Sequence, residues 1–134
     1  MSDEERIRAF LESGPWAVAG ASTDRAKYGN KVLRAYLQDE REPVYPLNPR
    51  ASEVEGLTAY PDLASLPATP RSLSVITPPP VTEALVAEAH AAGVQHVWMQ
   101  PGAESDAAVA FCEEHGLGVI AGGPCLLVVL GYRE

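Results

Sequence analysis

The sequence has little cysteine and little positive charge, and both scarcities narrow the functions it can have. Only two cysteines occur in 134 residues, Cys112 and Cys125, so we expect no disulfide framework. Ten lysine and arginine residues face 18 aspartate and glutamate residues, which gives a net charge of −8. Nucleic acid binding needs a basic face that neutralises phosphates, so the balance argues against a nucleic acid partner. A small anionic ligand needs only a local positive site, so the net negative charge of the chain does not exclude one.

Long apolar runs and catalytic motifs are also missing. No run approaches the ~20 apolar residues of a membrane span, and the acidic N-terminus has no signal-peptide pattern. We therefore expect a cytoplasmic protein that makes no use of a membrane. Metal-ligand and nucleophile motifs such as Cys-x-x-Cys, His-Glu-x-x-His and Gly-x-Ser-x-Gly do not occur. His90, His96 and His115 fall in or at the ends of predicted helices and strands. We predict no catalytic residue and no metal site, and expect a ligand-binding module rather than an enzyme.

What the sequence does contain is a regular alternation of short apolar runs and amphipathic stretches. Strands are predicted at 16–19, 43–47, 72–76, 94–99 and 117–121. Helices are predicted at 3–13, from beyond Gly29-Asn30 to about 40, at 81–92 and at 105–115. Such strands are typical of a parallel sheet covered on both faces. We predict one Rossmann-like, doubly wound α/β domain over 1–134, with a mostly parallel sheet of about five strands, helices on both faces and the N-terminal segment 1–13 packed on it.

Smaller elements are less clear from the pattern. Residues 54–57 are predicted to turn before a very short strand at 58–60, and 61–66 to form one helical turn. Pro80 or Val81 is expected to open the helix after the third strand. The apolar segment 126–130 could be a helix or a strand.

Ligands of doubly wound sheets bind at the carboxyl ends of the strands. Five stretches follow predicted strands in this way: Gly20-Ala21-Ser22, Asn48-Pro49-Arg50, Thr77-Pro78-Pro79, Gln100-Pro101-Gly102 and Gly122-Gly123-Pro124-Cys125. We expect the binding site to be built from these loops.

The loop after the first strand is predicted to hold the diphosphate of a nucleotide cofactor. Small residues let a pyrophosphate approach the backbone, and the following helix offers unpaired N–H groups. Hydroxyl groups of Ser22 and Thr23 can donate hydrogen bonds, while Lys27, and Arg25 as a further candidate, add positive charge. The spacing to Gly29 is longer than in Gly-x-Gly-x-x-Gly, so the loop is wider. An ordinary strand–helix connection could use the same glycines.

The loop after the second strand indicates a phosphorylated ribose. An NAD site places a carboxylate here to accept from the ribose 2′-hydroxyl, whereas this sequence has Asn48-Pro49-Arg50. Arginine suits a phosphate through paired, charge-assisted hydrogen bonds. NADP carries that phosphate at the 2′ position and coenzyme A at the 3′ position, so the residues leave both cofactors open. A solvated surface arginine is the alternative interpretation.

The remaining loops offer an apolar wall and a thiol. Thr77-Pro78-Pro79 has prolines without N–H groups, so it cannot cradle phosphate but can face an adenine or a pantetheine arm. Cys112 lies on the apolar face of a predicted helix and is expected in the core. Cys125 follows a strand's carboxyl end, where its thiol could approach a ligand thiol; a small buried residue is the alternative.

Several of these stretches together resemble a known family. They are Val18-Ala-Gly-Ala-Ser22, Tyr28-Gly-Asn-Lys-Val32, Val44-Tyr-Pro-Leu-Asn-Pro-Arg50, Ala59-Tyr-Pro-Asp-Leu63, Thr77-Pro-Pro79 and Val97-Trp-Met-Gln100. The pattern resembles the small bacterial and archaeal CoA-binding proteins, which are similar to the N-terminal CoA-binding domain of the succinyl-CoA synthetase alpha subunit. The resemblance extends from about Trp16 to Cys125 and implies a stand-alone Rossmann-like domain that binds coenzyme A.

The resemblance also implies roles for particular residues. It places the CoA diphosphate on Gly20, Ala21, Ser22 and Thr23, the phosphorylated ribose near Asn48 and Arg50, and the adenine and pantetheine near Thr77, Pro78 and Pro79. The predicted site is completed by Lys27, Tyr28, Gly29, Pro49, Gln100 and Cys125. Family members commonly carry a charged residue shortly before the cysteine, whereas this sequence has Ala121-Gly-Gly-Pro-Cys125. The phosphohistidine and grasp domains of the larger synthetases are not in this sequence, so ligase activity is not implied.

Three hypotheses follow. The first is non-catalytic binding of coenzyme A or an acyl-CoA. The second is an NADP-dependent oxidoreductase, and the third is a redox or regulatory protein in which Cys125 forms a mixed disulfide with coenzyme A. The sequence leaves open the acyl group, the oligomeric state and whether a partner enzyme exists.

Overall fold

A parallel sheet lies between two layers of helices in the computed structural model, which describes residues 2–134. The strands, numbered in chain order, are β1 (Trp16–Ala19), β2 (Val44–Leu47), β5 (Ser72–Val75), β6 (His96–Met99) and β7 (Gly118–Ile120). A separate hairpin contributes β3 (Glu53–Val54) and β4 (Leu57–Thr58). The sheet order is β2-β1-β5-β6-β7, and all neighbours are parallel. The predicted Rossmann-like α/β class is confirmed.

The helices divide between the two faces because each strand alternates its side chains across the sheet. They are α1 (Asp3–Leu11), α2 (Tyr28–Gln38), α3 (Pro79–Ala92), α4 (Asp106–Glu114) and α5 (Leu126–Val129). One core cluster joins α1, α2 and α5 to strand residues such as Val18 and Trp98. The other joins α3, α4 and the 3₁₀ turn Leu63–Ser65 to residues such as Val75 and Met99. Across residues 2–134 no helix has the length and apolar character to cross a membrane.

Several boundaries differ from the sequence-based expectation. Helix α2 begins at Tyr28, before Gly29-Asn30. Helix α3 begins at Pro79 rather than at Pro80 or Val81, since the first helical positions need no N–H donor. The undecided segment 126–130 contains the short helix α5.

The expected turn at 54–57 and strand at 58–60 form instead the β3–β4 hairpin. Its two central residues, Glu55 and Gly56, both have positive φ angles, 50° and 80°. This backbone is the one that two-residue hairpin loops prefer.

Pro46 lies in β2, an edge strand of the sheet, where a proline is tolerated because no outward N–H is needed. On the outer side, the Tyr60 N–H donates to the Pro46 carbonyl at 3.0 Å, and the Asn48 N–H donates to the Tyr60 carbonyl at 2.9 Å. The segment that follows β4 therefore covers the carboxyl-terminal part of this edge.

The end of β1 and the start of α2 touch backbone to backbone. Gly29 is buried in the first turn of α2, and a Cβ at this position would collide with the carbonyl oxygen of Gly20. Gly20 itself has φ of 92°, and a Cβ there would collide with the carbonyl of Ile76, beyond β5. Both glycines are thus required by close approach, which brings the helix N-terminus against the strand ends.

We expect Gly29→Ala to destabilise the fold by about 2 kcal/mol or more, because the added methyl group must displace a backbone carbonyl. Replacing a glycine within a helix by alanine ordinarily stabilises a protein. A loss of stability in Gly29→Ala would therefore indicate the collision with the Gly20 carbonyl. Urea denaturation would measure it.

Gly56→Ala is the matched control, since Gly56 has positive φ but open space around it. Its expected cost is about 1 kcal/mol, from backbone conformation alone. A Gly29→Ala protein as stable as the wild type would contradict the close-approach argument.

Candidate functional site

The carboxyl ends of β1, β2, β5 and β6 and the loop beyond β7 form one edge of the molecule. The helices after β1 and β5 leave toward opposite faces, so a crevice opens between these neighbouring strands, which is the usual binding position in doubly wound sheets. Every predicted site residue lies at this edge: Gly20, Ala21, Ser22, Thr23, Lys27, Tyr28, Gly29, Asn48, Pro49, Arg50, Thr77, Pro78, Pro79, Gln100 and Cys125. Their roles in binding remain predictions.

Three carbonyl groups of the β1–α2 loop, residues 20–27, accept hydrogen bonds from side chains outside the loop. The carbonyl of Ala21 accepts from Asn48 Nδ2 at 2.9 Å, and the carbonyl of Ser22 accepts from Asn30 Nδ2 at 2.8 Å. Further along, the carbonyl of Arg25 accepts from Arg34 Nη2 at 2.7 Å. With these carbonyls bound to the protein, the loop has a fixed shape.

Asn30 and Arg34 form a buried polar network under the loop that the sequence analysis did not identify. Arg34 Nε donates to Asn30 Oδ1 at 2.7 Å, and Asn30 Nδ2 also donates to Glu55 Oε2 at 3.0 Å. The other Glu55 oxygen binds Arg25 at 2.8 Å. The available signal was two polar residues four apart in α2, which place both side chains on one helix face.

The loop presents backbone donors that the protein does not use. Within residues 2–134, the N–H groups of Ala21, Ser22 and Thr23 donate to no protein acceptor. At the start of α2, Lys27 occupies the N-cap position without a side-chain cap, so the first-turn N–H groups are unpaired as well. The Ser22 hydroxyl oxygen accepts from the Asp24 N–H at 3.1 Å, which leaves its own proton to donate. This donor set suits an anion.

Two of the three candidate cations remain available to a ligand. Lys27 and Arg50 are exposed, and neither side chain forms an ion pair with any of residues 2–134. Arg25 does, with Glu55, so a phosphate would have to compete with that carboxylate; the suggestion that Arg25 faces the phosphates stays a prediction. The protein therefore combines a net charge of −8 with two exposed cations at this edge that pair with no carboxylate of residues 2–134.

Asn48 ties the loop after β2 to the β1–α2 loop. Its Oδ1 accepts from the N–H groups of Arg50 at 2.8 Å and Ala51 at 2.9 Å, while its Nδ2 holds Ala21. The half-buried side chain uses its polar atoms on backbone. We infer that Asn48 positions Arg50 and the loop rather than binding a ligand itself.

A cavity of about 310 Å³ opens beside the crevice, between the strand ends and α3. Mostly apolar residues line it, including Leu47, Pro49, Leu63, Val81 and Leu85, with Gly20 and Thr77 at the strand ends and Asp62 and Glu88 as its carboxylates. Pro78 and Pro79 are the N-cap and first residue of α3 and are not among its lining residues. The cavity has the size and apolar character of a site for a flat ring.

Tyr28, Gln100 and Cys125 meet on the other side of the crevice, and we call them the Cys125 cluster. The Tyr28 hydroxyl lies 2.6 Å from Cys125 Sγ and 3.3 Å from Gln100 Oε1. Gln100 is fully buried, and its Oε1 also accepts from the Leu126 N–H at 2.9 Å. Burial raises the pKa of Tyr28 well above its ordinary value, and the adjacent Cys125 and Glu104 raise it further. The phenol therefore keeps its proton at neutral pH.

The loop that carries Cys125 is anchored on both sides. The indole Nε1 of buried Trp98 donates to the Pro124 carbonyl at 3.0 Å. Glu104 accepts from the N–H of Gly102 at 2.8 Å and from that of Gly122 at 3.4 Å, so it links the loops after β6 and β7. Neither Trp98 nor Glu104 was expected to support the site.

The other cysteine and the histidines lie away from this edge. Cys112 is fully buried in the core, as expected, and burial together with the charge of Glu113 raises the pKa of its thiol to about 11. His96 begins β6, at the opposite end of the strands, and burial lowers its pKa. In the described part of the chain, 2–134, no group of three or more His, Cys, Asp or Glu residues is placed to hold a metal ion.

Comparison with known proteins agrees with this geometry. A family model described as CoA binding domain matches residues 15–131. The chain belongs to the CoA binding domain family.

Relatives of this CoA binding domain include both short chains and parts of large ones. The alpha subunit of ADP-forming acetate–CoA ligase II from Pyrococcus furiosus is 31% identical over 81 residues, which are 60% of this chain but only 18% of that protein. This chain thus corresponds to less than a fifth of that curated relative.

Two solved structures show the same contrast. A conserved hypothetical protein from Pyrococcus furiosus superposes with a TM-score of 0.79 and 38% identity, covering 85% of this chain and 97% of the other. The dinucleotide forming acetyl-coenzyme A synthetase 1 of Ca. Korarchaeum cryptofilum, solved with phosphate and ADP, gives a TM-score of 0.74 and 28% identity. There the match covers 85% of this chain and 26% of the synthetase.

We expect Asn48→Ala to loosen the β1–α2 loop, because it leaves the Ala21 carbonyl and the Arg50 and Ala51 N–H groups without their partner. The expected cost is about 2 kcal/mol of stability, together with faster amide hydrogen exchange at Arg50 and Ala51, whose N–H groups lose their acceptor. Asn48→Asp is the matched variant, since it keeps the acceptor and loses only the donor. Unchanged exchange in both variants would show that Asn48 does not hold the loop.

Proposed function

We propose that this protein binds coenzyme A or an acyl-CoA at the carboxyl edge of its sheet, without catalysing a reaction itself. The observation that carries the proposal is the β1–α2 loop. The carbonyls of Ala21, Ser22 and Arg25 are bound to Asn48, Asn30 and Arg34, while the N–H groups of residues 21–23 donate to no acceptor within residues 2–134. A diphosphate at this loop would accept from those N–H groups and from the first turn of α2. The membership of the chain in the CoA binding domain family supports the same ligand.

Arg50 is proposed to bind the 3′-phosphate of the ribose. Asn48 fixes the backbone N–H of Arg50, so the guanidinium starts from a defined position beside the β1–α2 loop. The side chain is exposed and has no carboxylate partner in residues 2–134. A phosphate would therefore not have to displace an existing ion pair, and the contact can be paired and charge-assisted.

The adenine ring is proposed to occupy the 310 Å³ cavity. Gly20 lines the cavity and also begins the β1–α2 loop, so a nucleotide could place its base in the cavity while its diphosphate stays at the loop. Apolar side chains such as Leu47 and Leu85 would contact the ring faces. Asp62 or Glu88 would accept from the exocyclic amino group.

NADP would satisfy Arg50 equally well through its 2′-phosphate, but nothing else in the structure favours it. The family match concerns coenzyme A. Direct titration with NADPH separates the two cofactors.

Titration calorimetry should show that the affinity contributed by the 3′-phosphate depends on Arg50. We expect wild type to bind coenzyme A at least tenfold more tightly than dephospho-CoA, a difference of about 1.4 kcal/mol. In Arg50→Glu, coenzyme A should lose that advantage, because the guanidinium is gone and a carboxylate repels the phosphate.

Arg71→Glu is the matched control for charge. Arg71 is exposed and precedes β5 at the opposite edge of the sheet, so the same change of two charges should alter affinity no more than about twofold, because of screening. Equal affinities of wild type for both ligands would remove the role of Arg50. Tighter binding of NADPH than of coenzyme A would overturn the proposed cofactor.

Native mass spectrometry of protein purified from cells without added ligand should reveal the natural occupant. We expect a bound mass equal to coenzyme A or to one of its thioesters, and that mass would identify the acyl group. A co-purified NADP mass would contradict the proposal.

A further inference from the structure

The Cys125 cluster contains a polar group that has no partner within residues 2–134. Gln100 is fully buried, and its amide nitrogen, Nε2, has no hydrogen-bond partner among residues 2–134. The amide oxygen of the same side chain is used twice, by the Leu126 N–H and the Tyr28 hydroxyl. An unpaired buried donor costs stability, so its presence beside a half-buried thiol points to a ligand that supplies a carbonyl oxygen.

The geometry points to the Cys125 cluster as a thiol-exchange site, in which Cys125 forms a mixed disulfide with the thiol end of coenzyme A. Gln100 Nε2 would donate to the pantetheine amide carbonyl nearest the sulfur, and Tyr28 would position the reacting cysteine. This inference rests on the proposed function, because the nucleotide anchors the arm at the β1–α2 loop.

The arm can reach this cluster from the loop. Tyr28 belongs to the first turn of α2, beside the proposed diphosphate position, and its own side chain spans the gap to Cys125. The pantetheine arm contains two amide units and a terminal ethanethiol group, and is longer than a tyrosine side chain. Because Trp98 and Gln100 fix the residues on either side of Cys125, the thiol meets the arm at a constant position.

Tyr28 can serve both protonation states of Cys125. When the cysteine is a thiol, its S–H can donate to the phenol oxygen, and the phenol donates to Gln100 Oε1. When the cysteine is a thiolate, the phenol O–H can turn to the sulfur instead. Gln100 Oε1 is not left unpaired in that case, since the Leu126 N–H still donates to it.

The reaction requires a disulfide of coenzyme A as co-reactant and no other oxidant. The Cys125 thiolate attacks one sulfur of that disulfide, a new bond forms between Cys125 Sγ and this sulfur, and the original S–S bond breaks. The departing coenzyme A leaves as a thiolate and takes up the proton that Cys125 released. One disulfide is consumed and one is formed, so there is no net oxidation.

Intact-mass spectrometry can follow the exchange with two probes: the disulfide of coenzyme A, and pantethine, which carries the same arm without the nucleotide. We expect one adduct per chain, located on Cys125 by peptide mapping. The nucleotide should raise the effective concentration of the disulfide at Cys125, so the disulfide of coenzyme A should react at least tenfold faster than pantethine. Equal rates for the two probes, or no adduct, would overturn the inference.

Variants separate the roles of the residues. Cys125→Ser should abolish the adduct, whereas Cys112→Ser should leave it in place, because Cys112 is buried in the core. Tyr28→Phe should lower the maximal exchange rate about tenfold, since a hydrogen bond to a charged group is lost, and should change the half-saturating concentration much less. A Tyr28→Phe protein that loses only affinity would assign Tyr28 to binding and overturn its positioning role.

Failure of this inference and failure of the proposed function give different results. Calorimetry that shows tight binding of coenzyme A, with no adduct on Cys125, would refute only the exchange. An adduct that forms equally well with both probes, in a protein that does not bind coenzyme A, would refute both. Arg50→Glu should remove the preference for the disulfide of coenzyme A over pantethine.

Discussion

The contact between Gly29 and the carbonyl of Gly20 determines how the β1–α2 loop and the first turn of α2 lie at the carboxyl edge. It brings α2 against the end of β1 with no side chain in between. The first turn of the helix is thereby placed next to the loop, so unpaired N–H groups from both can face one ligand. Tyr28 occupies the position before Gly29, and the same contact therefore directs its side chain toward Cys125. One backbone contact thus positions both the loop proposed to bind the diphosphate and the tyrosine of the Cys125 cluster.

Much of the fold could be predicted because its strands are short, apolar and separated by amphipathic helices. The alternation alone indicated a parallel sheet, and the rule that ligands bind at strand ends selected the loops that the structure brings together. The glycines at 93 and 116, just past α3 and α4, marked where those helices end. Each of these signals lies within a short segment of the chain, so it can be recognised from a single sequence.

The features that the sequence did not reveal depend on contacts between distant residues. Asn30 and Arg34 could have been ordinary surface residues of α2; only folding shows that they hold the carbonyls of Ser22 and Arg25. The pairing of Arg25 with Glu55, 30 residues away, could likewise not be read from the sequence. Trp98 lies in a strand that the sequence predicted, but its hydrogen bond to Pro124 depends on where the loop after β7 lies.

The covered edge of β2 has a consequence for how copies of this fold can assemble. Around Pro46 the outward side of β2 is closed to pairing, since Pro46 has no N–H and its carbonyl is bound to Tyr60. A strand of another chain therefore cannot extend the sheet along the whole of β2, which limits one common route to aggregation through sheet edges. A neighbouring domain or subunit beside Pro46 has to contact side chains instead of pairing with this part of the strand.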